Sequence, residues 1–141
     1  MKRTASAQWT GGLKDGKGSI STESGVLAKT PYSFSMRFEN APGTNPEELI
    51  AAAHASCFSM ALSGQLGNAG MTAESIATTA TITMEKLEAG PTVTESHLDV
   101  HVKIPGGNLE AFEKAAEAAK TGCPISRLLK AEITMNASVE T

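Results

Sequence analysis

The sequence predicts an α+β protein with mainly antiparallel sheets and two main helices. Two observations carry this. Residues 32–38, 75–85, 92–104 and 131–140 alternate apolar and polar side chains with the period of a strand. Two longer segments, after Asn45 and after Asn108, instead carry helix start signals followed by apolar or amphipathic runs. The order is strands, helix, strands, helix, strand. No internal repeat, low-complexity tract or linker interrupts it, so residues 1–141 read as a single domain.

Taken in order, residues 4–9 read as a short strand. Gly11-Gly12 and Asp15-Gly16 mark a hairpin turn, and residues 19–23 read as the returning strand. In residues 32–38, Tyr32, Phe34, Met36 and Phe38 fall on one face of a strand, with Ser33, Ser35 and Arg37 on the other. Asn40 to Gly43 ends it. Asn45 then stands as an N-cap, Pro46 as the first helical residue, and Glu48 as the acid of a capping box. The helix that follows carries no charge after Glu48 and fades between Ser63 and Gly70. So apolar a helix predicts cover around most of its circumference. Residues 75–85 and 92–104 form two strands around a Gly90-Pro91 turn, with Leu98, Val100, Val102 and Ile104 facing inward. Asn108 caps a second helix over 109–120, and Gly122 suits its C′ position. Pro124 restarts a helical turn, and residues 131–140 close the chain as a strand.

The composition excludes several function classes. With 40% apolar and 19% charged residues, the 141-residue chain is an ordinary globular one, long enough to bury a core. A net charge of −3 and sparse aromatics leave no footprint for nucleic acid. The basic N-terminus lacks the apolar stretch of a signal peptide. The uncharged run over residues 49–73 contains His54, Gln65, Asn68, several serines and three glycines, which reads as too polar for a membrane span. A cytoplasmic location is expected.

The chemistry rests on two cysteines, Cys57 and Cys123. No CxxC is present, so neither a thioredoxin-like motif nor a zinc knuckle is available, and a reducing compartment disfavours a structural disulfide. Two readings of each thiol stand. Cys57 lies within the apolar helix, where a free thiol packs as a small hydrophobe. A nearby histidine or arginine would instead hold it as a nucleophilic thiolate, and His54 is one turn away on the same face. His54 has its own structural reading as a core histidine. Cys123 sits where a helix dipole favours a thiolate, and it also reads as a plain loop position. Arg37 is either a solvated cation or a partner of a thiolate, oriented by a bidentate pair with Glu48. Glu48 also has a sufficient role as the capping acid. Nine positions along one helix, about 13.5 Å of rise and half a turn net, separate Glu48 from Cys57. A site holding both needs another element or another subunit.

Other constellations fail. His97 and His101 are about 13 Å apart on one strand, too far to share a metal with Asp99. Gly11-Gly12 and Gly16-x-Gly18 lack the strand–loop–helix setting of a phosphate loop. Ser56 and Ser59 lack a nucleophile elbow.

The run from Thr44 to Ala61, centred on His54-Ala55-Ser56-Cys57-Phe58, resembles the signature of the OsmC/Ohr family of bacterial osmotically inducible and organic-hydroperoxide-resistance proteins. Gly122-Cys123-Pro124-Ile125-Ser126 resembles its second motif, and residues 21–27 and 32–38 are similar to the OsmC branch. The resemblance implies an intertwined α+β homodimer with two sites at its interface. It implies a thiol-dependent peroxidase reducing organic hydroperoxides, and hydrogen peroxide more weakly, in defence against oxidative and osmotic stress. Cys57 would be the peroxidatic thiol and Cys123 the resolving one, with Arg37 and Glu48 stabilising and orienting the thiolate. No metal, haem or flavin is implied. An external reductant, a small dithiol or a lipoyl-bearing protein, would reduce the Cys57–Cys123 disulfide. A non-catalytic redox sensor or a ligand-binding dimer is the alternative.

Overall fold

The first three strands form a sheet of their own. β1 (Ala5–Thr10) and β2 (Lys17–Thr22) pair antiparallel, with Trp9 opposite Gly18. Gly11, at φ 93°, takes the left-handed backbone that the intervening turn requires, and the Gly16 N–H closes the turn on the Gly12 carbonyl at 2.8 Å. β3 (Thr30–Tyr32) joins the other side of β2. With no side chain at Gly18, the rings of Trp9 and Tyr32 close over it to 5.4 Å between centroids.

The strand expected over residues 32–38 stops at Tyr32. Ser33 leaves the sheet as an N-cap, its Oγ accepting from the Met36 N–H at 3.3 Å, and Phe34–Phe38 form a short helix, α1. The sequence satisfies both periods. Phe34 and Phe38 alternate along a strand, but they also stand four apart, and as a helix their rings meet at 4.9 Å. The serine cap decides between the two.

The computed structural model describes all residues Met1–Thr141. They divide into two compact units, Met1–Leu49, which holds the elements above, and Ile50–Thr141.

α2 (Pro46–Asn68) begins as its signals dictate: Asn45 Oδ1 accepts from the Glu48 N–H at 2.8 Å. It runs 23 residues and is apolar enough, at a mean hydropathy of 1.3, to cross a membrane by length and composition. Its packing is that of a core helix along one stripe. His54, Phe58, Leu62 and Leu66, each four residues after the last, are buried. The expected cover around the rest is absent from the single chain, and Met60 is 79% exposed.

β4 (Ser75–Leu87) and β5 (Gly90–Lys103) make a long antiparallel hairpin, with a register shift at Thr83/Met84. β6 (Glu132–Glu140) lies against β5 in parallel, since two helices carry the chain across between them. Leu98, Val100, Val102 and Ile104 point inward as their alternation predicts. Against them pack α2 and the amphipathic α3 (Leu109–Gly122), which buries Phe112, Ala115, Ala116 and Ala119 and is capped by Asn108. Gly122 is not the C′ residue; it is the last helical one. Cys123 ends the helix, with its N–H on the Ala119 carbonyl at 2.9 Å. α4 (Pro124–Leu128) follows at once.

Candidate active site

Cys123 is fixed from both sides. It is the C-cap of α3 and the N-cap of α4, where its carbonyl accepts the Arg127 N–H at 3.0 Å. Pro124, with φ preset for a first helical turn, allows the second helix to start immediately. The Cys123 side chain is 0% exposed and belongs to the core cluster.

Cys57 reaches it from α2. Both thiols are free, and half-buried Cys57 packs against the core cluster that contains Cys123, close enough for Cys123 to perturb it. Burial pushes the Cys57 thiol above its ordinary value, and the neighbouring Cys123 thiol adds to this. The nearby backbone of Ile125 works the other way; charge repulsion from Cys123 pushes it up again. The arrangement is chemically asymmetric: one thiol open enough to be reached, and a sheltered second thiol beside it.

One turn before Cys57, His54 is 0% exposed and bonded at both ring nitrogens. Nδ1 lies 2.6 Å from Ser96 Oγ on β5, and Nε2 lies 2.8 Å from Ser126 Oγ on α4. Burial holds its pKa below the usual histidine value, so the ring is neutral. One nitrogen therefore donates and the other accepts, and each serine hydroxyl turns to suit.

In the N-terminal unit, Arg37 lies on α1 with its guanidinium 5.0 Å over the Phe38 ring. The expected pair with Glu48 does not form. Glu47 takes Arg37 instead, from Nε at 3.1 Å to both carboxylate oxygens and from Nη2 at 2.6 Å. Glu48 is exposed, and its contact is the backbone one with Asn45. A sequence signal for this existed. With Asn45 as the cap, Glu48 occupies the capping-box position and Glu47 is the first-turn acid left free for a cation. Arg37 also lines an apolar cleft of about 270 Å³ with Trp9, Leu13, Tyr32, Phe34 and Phe38.

His97 and His101 are engaged separately, by Thr134 Oγ1 at 2.5 Å and by Ser138 Oγ at 3.0 Å. No three His, Cys, Asp or Glu side chains gather as a metal-ligand group.

Two strand-and-helix units, one carrying a half-exposed thiol beside a buried one, define an α+β dithiol protein. The chain belongs to the OsmC family: the family described as OsmC-like protein matches residues 38–138. Among curated proteins it is 52% identical over 136 residues to peroxiredoxin OsmC of Escherichia coli (strain K12), covering 96% of this chain and 95% of that protein. Among solved structures, an OsmC-like protein from Vibrio cholerae superposes with a TM-score of 0.78 at 19% identity, covering 98% of this chain and 99% of that one. An organic hydroperoxide resistance protein from Elizabethkingia anophelis gives a TM-score of 0.71 at 26% identity, covering 100% and 98%.

Proposed function

We propose that this chain is a thiol-dependent peroxidase that reduces organic hydroperoxides, and hydrogen peroxide more weakly, to alcohols or water. The peroxidase role rests on the identity to peroxiredoxin OsmC over nearly the whole chain. The observation that supports the mechanism is that the free thiols of Cys57 and Cys123 meet in one packed cluster, the first half-buried and the second buried.

The Cys57 thiolate attacks one oxygen of the peroxide, the O–O bond breaks, and the leaving alkoxide takes a proton to become the alcohol. Cys57 becomes a sulfenic acid. The Cys123 thiol then displaces its oxygen as water and forms the disulfide. Burial alone works against the first step, since it disfavours the thiolate. A cation is needed, and Arg37 is the residue we assign, oriented by Glu47 in place of Glu48. The apolar side chains of the cleft beside Arg37 suit an alkyl or aryl tail. An external dithiol, either a small molecule or a lipoyl-bearing protein, returns the disulfide to thiols. A cytoplasmic setting suits that reductive step.

The working unit is a homodimer. The uncovered apolar residues of α2, Met60 among them, support this, as does the absence of any buried apolar side chain in Met1–Leu49. The family match over 38–138 runs through both units and supports treating the chain as one domain.

The test is steady-state reduction of cumene hydroperoxide and of hydrogen peroxide with a dithiol reductant. Multiple turnovers, faster with cumene hydroperoxide, are expected. A single stoichiometric oxidation without turnover would identify a redox sensor instead.

A further inference from the structure

α2 and α4 are joined by two rungs of different chemistry. One is the packing of Cys57 against the core cluster that contains Cys123. The other is the 2.8 Å bond between His54 Nε2 and Ser126 Oγ. The offsets match: His54 precedes Cys57 by one turn of α2, and Ser126 follows Cys123 by one turn of α4. The second rung is buried, with His54 0% and Ser126 9% exposed, and the far side of the ring is anchored to the fully buried Ser96 of β5. No buried side-chain nitrogen or oxygen is left without a partner. A buried rung of this kind has few alternatives open to it. If it breaks, two polar groups are stranded in a dry interior.

We propose that His54 is a positioning residue for the resolving step: through Ser126 it holds α4 so that the Cys123 sulfur stays beside Cys57. The proposal rests on the assignment of Cys57 as peroxidatic and Cys123 as resolving. It concerns a partition. Once Cys57 is a sulfenic acid, Cys123 can displace its oxygen as water and give the disulfide. Alternatively, a second hydroperoxide transfers an oxygen to the same sulfur, leaving as the alcohol and giving a sulfinic acid. The first outcome requires Cys123 to be in place; the second does not. His54 touches neither sulfur in this scheme. It acts by fixing the start of α4, a helix of 5 residues whose N-cap is the resolving thiol and makes no side-chain capping bond of its own.

The two ring nitrogens permit a clean dissection. In His54→Gln the amide nitrogen falls near the Nε2 position and keeps the Ser126 rung. In His54→Asn the shorter amide falls near Nδ1 and keeps only the Ser96 bond. Ser126→Ala and Ser96→Ala remove one buried hydrogen bond each, from opposite ends of the same ring. The reduced full-length protein is mixed with cumene hydroperoxide. Thiol loss at Cys57, sulfenic-acid lifetime and the final ratio of disulfide to sulfinic acid are then followed by rapid quench and mass spectrometry. Thermal melts report folding for every variant.

Ser126→Ala and His54→Asn are expected to leave the first step within about twofold and to slow disulfide formation by about tenfold, with sulfinic acid rising in step. Ser96→Ala and His54→Gln should keep the wild-type partition. Unchanged partition in Ser126→Ala overturns the proposal. An equal shift in Ser96→Ala also overturns it, because the ring would then be a general core element. If His54→Asn does not fold, the contrast between the two serine variants decides alone. Failure of the underlying assignment looks different: Cys123→Ser would then partition as the wild type does, or no Cys57 sulfenic acid would form in the wild type.

Discussion

The two units of this chain are held together differently. Every buried apolar side chain, from Phe58 to Cys123, lies in Ile50–Thr141. In Met1–Leu49 none is buried: β1 is exposed along its whole length, and Trp9, Leu13, Val26 and Phe38 are open to solvent. The chemistry divides in the same way. The C-terminal unit keeps its thiols and His54 in or beside a dry interior. The N-terminal unit holds a charged pair, Arg37 and Glu47, at side-chain exposures of 38% and 18%. A sheet of paired strands can thus lack a core of its own. Three strands need a covered apolar face to be stable by themselves, and the proposed homodimer is what would supply the cover.

Four measurements test this contrast. The largest effect is expected at the thiols. Cys57→Ser reduces cumene hydroperoxide turnover to the uncatalysed rate, while Cys123→Ser still completes one stoichiometric reduction. Equal loss of that first reduction in both variants would remove the division of labour between them.

Next comes the core. Phe112, 2% exposed, is expected to cost about 3–5 kcal/mol when replaced by alanine, measured by urea unfolding at fixed protein concentration. Phe38, 46% exposed, should cost about 0.5 kcal/mol by the same measurement. Comparable losses would mean that Phe38 is covered in the assembled protein, and the contrast would then hold only for the single chain.

A smaller effect separates the two acids. Glu47→Gln removes the charged partner of Arg37 and should lower kcat/KM by about tenfold, whereas Glu48→Gln should change it by less than about twofold. The reverse order would return the orienting role to Glu48.

The smallest effect is a pH dependence. The His54 pKa is lowered on folding, by burial, so the unfolded chain binds the proton more readily. The stabilisation is fully present above the unfolded value, about 6.5. It is lost progressively as pH falls below that and through the folded value. Urea midpoints between pH 7 and pH 5 should therefore fall, and fall less in His54→Gln. An unchanged difference between the two proteins would show that His54 does not carry the effect.

Much of the fold is legible in the sequence. The Asn45 and Asn108 caps, the Asp15-Gly16 turn, the start of α4 at Pro124 and the inward face of β5 all stand where their residues place them. The misreadings share a cause. Residues 33–38 satisfy a strand period and a helix period at once, and Gly122 is compatible with a C′ position it does not occupy. Glu47 and Glu48 are adjacent acids, and only the reach of Arg37 distinguishes them. The parallel pairing of β5 and β6 is likewise invisible to patterning, which specifies the face of a strand and not its direction.

By itself, then, the sequence determined the caps, the turns, the strand faces and the family-like motifs around two cysteines. These are local, since each depends on residues a few positions apart. Only the tertiary structure decided that Cys57 and Cys123 meet in one packed cluster, that Glu47 holds Arg37, and that His54 is shared between serines 42 and 72 positions away. Such partners are chosen by how α2, β5 and α4 pack, and by the cost of leaving a buried polar atom unpaired.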